Sequence, residues 1–256
     1  MSSNKLGFKT EGSGPHLART IMLQELSTLF EYVDDPEASV EQYQEAIIDK
    51  NCLGKKSGNT RKLTFGHLKD LYSLNPEIIL FKGLRYFWER DPAARPMLAL
   101  LCAYARDPIL RAITPKILTH EQNSQVTRGQ VEEYIEEQFA SKFSPATLKS
   151  LAQNINSSLT QTGHLKGRVK KIRVAPQVSS GGIAYAVFLA YLEQKRGMSL
   201  FNNQYTHLFG CSSEQALEYF QFASSKGWVI LKHIGDVVEV DFPKLIINGQ
   251  ANLSYE

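Results

Sequence analysis

The sequence predicts a mainly α-helical fold: a multi-helix bundle with helix-turn-helix and winged-helix elements and a short β-hairpin near the C-terminus. Three observations carry that expectation. Apolar residues recur at helical spacing through most of the chain, and the runs are punctuated by Asp-Pro stops and by Ser or Thr caps. Two amphipathic segments meet across a glycine-broken basic turn, and a run from Trp228 to Phe242 reads as two strands around Gly235-Asp236.

Residues 1–14 are polar and glycine-containing and read as a loose arm. The fold then starts near Pro15. Leu17, Ile21, Leu23, Leu26, Leu29 and Phe30 share a helical repeat that Asp34-Asp35-Pro36 closes. Ser39 with Gln42 makes a capping box before Ala46, Ile47 and Ile48, opening a second helix to about Lys50.

The next segment, Asn51 to Lys62, bears on function. Gly54 and Gly58 break the helical pattern, and Ser57 or Asn59 can cap a new helix with Leu63, Phe65, Leu68, Leu71, Tyr72 and Leu74 on its apolar positions. Lys55, Lys56, Arg61 and Lys62 sit at the turn and first turn, where a recognition helix meets DNA; Ser57, Asn59 and Thr60 are polar candidates beside them. Cations at a helix N-terminus oppose the macrodipole, which a bound phosphate would relieve. The competing reading is a solvated basic loop. Glu31 to Asp49 holds seven acids and no Lys or Arg, whereas Lys50 to Lys69 holds six cations and no acid. Such segregation either orients the module on a polyanion or forms internal salt bridges.

Beyond Asn75-Pro76, the apolar runs through Trp88, from Pro96 to Arg106 and from Ile109 to Leu118 read as core helices separated by Asp91-Pro92 and Asp107-Pro108. Thr127 caps a helix over Val131 to Phe143 whose Glu132, Glu133, Glu136 and Glu137 face outward. Ser144 with Pro145 opens another, Leu148 to about Leu159, which Gly163 ends. His164 to Val174 then carries Lys166, Arg168, Lys170, Lys171 and Arg173 with no acid. This reads as a wing or a strand tracking phosphates, or as an ordinary edge strand protected by lysine.

Ser179-Ser180-Gly181-Gly182 looks like a flexible break, dividing a helical domain at 15–178 from a winged-helix-like domain at 179–256. The second contains helices at Ile183 to Glu193, Ser199 to Phe209 and Ser212 to Lys226, then the hairpin. Its wing is weakly basic, since Asp236, Glu239 and Asp241 offset Lys232 and His233, so packing or partner binding suits it better than DNA contact.

Composition excludes several classes. With 256 residues and 43% hydrophobic content the chain can bury a large core, so general disorder is excluded. The net charge of +3 makes any nucleic-acid case depend on local clusters. Cys52, Cys102 and Cys211 lack disulfide or metal spacing and suit a reducing cytosol, and no apolar run is long enough for a membrane span. Histidines 16, 67, 120, 164, 207 and 233 lack metal-ligand spacing, and no phosphate loop, GxSxG, HExxH or dinucleotide fingerprint occurs. No catalytic residue, cofactor or metal is therefore expected.

Asn51 to Lys62 (NCLGKKSGNTRK), Leu68 to Leu74, the LCAYARDPILRA stretch at 101–112 and the basic strand at 163–173 together resemble the BrxA proteins of BREX phage-exclusion systems. That resemblance spans about Pro15 to Phe242. It implies a small helical DNA-binding component, encoded beside a methyltransferase, a large ATPase and other defence proteins, with no reaction of its own. By position, the family's DNA-contacting turn falls on Lys55 to Lys62. The expectation is thus a cytoplasmic, non-enzymatic protein that binds double-stranded DNA and joins other components of a defence complex, away from membranes. The alternative is a helical adaptor or RNA-binding protein bridging protein partners.

Overall fold

Met22 takes a left-handed backbone (φ 52°, ψ 43°) and splits the first expected helix into a 3-10 turn, Pro15–Leu17, and helix α1, Leu23–Tyr32. The cause is tertiary. Ile21 N–H is drawn to Ser158 Oγ (3.0 Å) and Leu23 N–H to the side-chain oxygen of Gln161 (3.2 Å), so neither bonds four residues back. The structure, a computed structural model, describes residues 6–9, 15–235 and 237–246. Most of the expected arm lies outside these residues. Within it, Gly7 and Phe8 are buried, and the Gly7 and Lys9 carbonyls accept from the guanidinium groups of Arg106 (2.5 Å) and Arg111 (2.7 Å). That part of the arm is tied down because two arginines need acceptors.

The predicted capping box of Ser39 and Gln42 opens α2, Val40–Ile48. Ser57, rather than Asn59, caps α3, Gly58–Tyr72, accepting the Thr60 N–H at 3.1 Å. Leu63 departs from the expected apolar face: it is 48% exposed, because Thr64, Phe65, Leu68, Leu71 and Tyr72 take the inward positions. Gly66 is exposed mid-helix, and a Cβ there would meet nothing within 4 Å. Gly66→Ala should therefore raise stability by about 1 kcal/mol, read as a higher urea midpoint at unchanged slope.

Helices α4 (Ile79–Arg90), α5 (Arg95–Arg106) and α6 (Pro108–Leu118) follow, with the breaks at Asp91 and Asp107. Every residue from Met97 to Arg106 is buried. Phe30 packs edge-on against Phe81 and Trp88, and Tyr43 against Phe81, so the aromatic cluster serves packing.

A compact unit comes next. Strand β1 (Gln125–Val126) leads into α7 (Arg128–Phe139), which a Thr127–Gln130 capping box opens. The chain leaves α7 at Phe139, four residues short of the expected end, and turns at Ser141 (φ 57°). Ser144 caps α8 (Pro145–Gln161), and β2 (Leu165–Lys166) and β3 (Lys171–Arg173) form a hairpin. The three strands are antiparallel in the order β1-β3-β2, with Val126 opposite Lys171 and Lys166 opposite Ile172. Helix α8 packs on α7 and on the 3-10 turn at Pro15–Leu17, and α7 packs on α6.

Gly181 and Gly182 form no flexible break. They lie in the first turn of α9, Ser180–Leu192, where Gly181 N–H bonds Asp91 Oδ2 (2.8 Å) and a Cβ on Gly181 would collide with Asp91. Helix α9 packs on α4, α5 and α10 and is buried almost throughout, which explains its lack of an amphipathic face. The single helix expected over Ser199 to Phe209 is two 3-10 turns, Gly197–Leu200 and Thr206–Phe209. Asn203 causes the break: its side-chain oxygen accepts from Tyr205 N–H (2.9 Å) and its amide donates to Leu200 O (2.7 Å). A Ser212–Gln215 capping box opens α10, Ser213–Ser225. The expected hairpin is β4 (Ile230–Ile234) and β5 (Val237–Asp241), with Ile234 opposite Val237; of the expected turn pair Gly235-Asp236, Asp236 lies outside the described residues.

The architecture is thus mainly helical, with a small antiparallel hairpin near the C-terminus. Its buried apolar residues form one continuous core from Phe8 to Ile246. Among the described residues no helix is long and apolar enough to cross a membrane.

Candidate nucleic-acid interface

The first basic segment is partly committed to the fold. Lys55 Nζ lies 3.0 Å from Glu25 Oε1, and Arg61 donates to Ile48 O (2.6 Å) at the end of α2, where a cation is favoured. Ser57 and Thr60 hydroxyls bond each other (2.9 Å) while Ser57 caps the helix. Lys56, Asn59 and Lys62 remain exposed. The acidic stretch meets the cationic one at its first residue, where Glu45 pairs with Lys50 (3.4 Å), and Glu37 pairs with Lys82 (3.8 Å); among the described residues only Glu25, outside the acidic stretch, pairs with the turn at 55–62.

The second segment sorts more sharply. Gly163 (φ 77°) carries the chain out of α8 to His164, which is fully buried. Its Nε2–H donates to Leu208 O (2.8 Å), so Nδ1 accepts from the Thr162 hydroxyl (2.8 Å). Burial drives the His164 pKa down from 6.5 to about 4, with the nearby Arg173 charge acting the same way against the Leu208 bond. Arg173 itself is buried and donates to the His164 and Val174 carbonyls, fixing the hairpin's base rather than facing solvent. Lys171 Nζ folds back onto Gly167 O (2.7 Å), and partial burial lowers its pKa. Gly167 sits at φ 104°, and a Cβ there would collide with the Lys170 carbonyl, so the turn requires glycine. Lys166, Arg168 and Lys170 are exposed around a tip where Val169 is 89% exposed.

Sequence reasoning passed over α8. Its residues Lys149, Ser150 and Gln153 are exposed and share one face by their spacing. The available signal was charge: between Glu137 and Glu193 the chain has no acid and seven cations, Lys142, Lys149, Lys166, Arg168, Lys170, Lys171 and Arg173. Acids crowd α7 instead, where Glu132 is half-buried against Arg128 (2.7 Å), Glu137 pairs with Lys116 (2.9 Å), and Glu133 and Glu136 are exposed. Helix α1 touches the end of α8 and the first basic turn, since Leu23 N–H bonds Gln161 and Glu25 pairs with Lys55.

One further constellation was invisible in sequence. His16 Nδ1 lies 2.8 Å from Asp107 Oδ2 and Nε2 lies 2.8 Å from Ser158 Oγ, the connectivity of a hydrolytic triad. All three residues have zero exposure, and Ser158 Oγ also accepts Ile21 N–H and lies 2.8 Å from Asn154 O. No substrate reaches it. The cluster pins the 3-10 turn, the α5–α6 junction and α8 together. Burial acts to raise the Asp107 pKa, but the hydrogen bonds and charge of His16 outweigh it and hold the carboxyl below its ordinary value. Among the described residues no group of His, Cys, Asp and Glu suits a metal. Compared with known proteins, the chain matches no protein-family model and no curated protein.

Proposed function

We propose that this chain is a non-enzymatic binder of duplex DNA whose principal contact is α8 with the β2–β3 hairpin. Helix α6, β1, α7, α8, β2 and β3 follow the element and strand order of a winged helix, with α7–α8 as the helix-turn-helix. In that arrangement α8 enters the major groove. Ser150 and Gln153 are neutral donors and acceptors suited to base edges, while Lys149, Lys166, Arg168 and Lys170 neutralise phosphates. Lys56, Asn59 and Lys62, at the start of α3, supply a secondary contact. The observation that carries this reading is the acid-free stretch at 138–192, with Lys149 exposed on α8 and Lys166, Arg168 and Lys170 exposed together on the hairpin that follows it. The family resemblance gives the setting: a DNA-binding component of a bacterial BREX-like defence complex.

The test is duplex binding by fluorescence anisotropy between about 50 and 200 mM salt. Wild-type affinity should fall steeply with salt. Lys166→Ala/Arg168→Ala/Lys170→Ala should reduce the log–log slope by about three, with the melting temperature unchanged. A salt-independent affinity, or an unaltered slope in the triple variant, overturns the reading.

A further inference from the structure

The C-terminal unit follows the element order of the preceding one with one strand lacking. Helix α6, β1, α7, α8 and the β2–β3 hairpin are matched by α9, two 3-10 turns, α10 and the β4–β5 hairpin, so the turn at Gly197–Leu200 takes the place of β1. In the first unit β1 pairs antiparallel with β3 and closes that edge of the hairpin, with Gln125 exposed and Val126 buried. In the second, the sheet has two strands, β4 and β5. The ladder's alternation fixes which groups this leaves over. Leu231 N–H donates to Ser224 Oγ (3.3 Å), outward from β4, so Leu231 and Val240 opposite it exchange no ladder bonds. Two residues along, His233 and Val238 are a pair of the same kind. The N–H and C=O of Val238 and Val240 therefore point away from β4, and they bond no group among the described residues.

Val238 and Val240 line a cavity of about 440 Å³ to which Tyr191, Arg196, Gly197 and Leu200 also contribute. The charged groups around it are already engaged. Lys232 pairs with Glu239 (3.5 Å), Arg196 lies over the Tyr191 ring (3.9 Å) and donates to the Tyr191 carbonyl (2.9 Å), and Asp241 accepts Phe242 N–H (2.8 Å). What is left unpaired is main chain. The 3-10 turn at Gly197–Leu200 packs on β5, yet no backbone hydrogen bond joins the two. We infer that the outer edge of β5 is a strand-addition site, filled by an extended segment of a partner protein in which apolar and polar residues alternate. An extended backbone offers N–H and C=O at the two-residue repeat that Val238 and Val240 require, whereas a helix has already satisfied its own. Paired antiparallel, as β1 is on β3, the segment sets its apolar residues beside Val238 and Val240 and its polar ones beside Glu239 and Asp241. A second copy's β5 fits less well, because its own β4 would follow on the side where the 3-10 turn already packs. This inference does not depend on DNA binding by α8.

The experiment uses the full chain and a short labelled peptide in which valine alternates with glutamine, followed by anisotropy, beside the same peptide N-methylated at its valines. The first should bind, and the second, whose valines have no N–H to give the edge, should bind roughly tenfold or more weakly. Val240→Pro removes one outward N–H while sparing the ladder to β4, and should weaken the unmodified peptide to a similar degree with the melting temperature within a few degrees of wild type. The N-methylated peptide needs no variant, so the comparison stands even if Val240→Pro unfolds. Hydrogen exchange gives a direct reading: the Val238 and Val240 amides should exchange faster than that of Glu239 between them in the free chain, and should slow at saturating peptide. No binding of the alternating peptide, equal binding of its N-methylated form, or slow exchange of both amides in the free chain, which would mean an edge already paired, each overturns the inference.

Discussion

Asp107→Ala should cost roughly 3 to 5 kcal/mol of folding stability, because it strips the acceptor from four buried N–H donors, each unsatisfied donor costing about 1 to 3 kcal/mol less what local relaxation recovers. Asp107 does three things at once. One oxygen accepts the backbone N–H of Ile109 (2.9 Å) and Leu110 (3.1 Å), capping α6; the other accepts both the ring and the backbone N–H of His16 (2.8 and 3.0 Å). Alanine leaves these donors buried without acceptors, and His16 is itself fully buried. Asp107→Asn retains one carbonyl acceptor and should lose less. Urea denaturation followed by circular dichroism gives both values. A loss below about 1 kcal/mol for Asp107→Ala, the size of a single hydrogen bond, would mean that the cluster does not hold the three elements together.

The second large effect is acid destabilisation through His164. The folded protein holds this histidine near pKa 4, against 6.5 ordinarily, because its ring is buried and the Arg173 charge opposes protonation, which together outweigh the Leu208 hydrogen bond. Below about pH 6.5 the unfolded chain therefore binds a proton that the folded chain refuses, and stability falls until the folded form also titrates. The full loss is on the order of 3 kcal/mol, complete near pH 4. Asp107, whose folded pKa is depressed, contributes in a lower window: its stabilisation is present above the ordinary carboxylate value of 3.8 and is lost as pH falls through the folded value. Stability measured at intervals between pH 7 and 4 should slope downward in wild type and flatten in His164→Gln. An equal slope in both would show that other groups set the acid response.

Local chemistry made much of the helical frame legible in advance. Capping boxes at Ser39 and Thr127, the cap at Ser144 and the Asp-Pro stops lie where their short-range hydrogen bonds fix them. What escaped was decided over long range. Met22 bends because Ser158 and Gln161, far along the chain, capture its neighbours' N–H groups. Gly181 and Gly182 looked like a hinge because sequence does not reveal that Asp91 and Phe209 occupy the space of their missing side chains. Within the basic segments, charge was readable but its employment was not: Lys55, Arg61, Lys171 and Arg173 serve internal acceptors, while Lys56, Lys62, Lys166, Arg168 and Lys170 stay in solvent. The three-stranded sheet needed β1, two residues too short to leave any periodic trace.

The bond from His164 to Leu208 fastens the root of the basic hairpin to the neighbouring C-terminal unit. Like the rivet of a caliper, it ties two arms: where the hairpin's root goes the Leu208 carbonyl must follow, or a fully buried imidazole N–H is left without a partner.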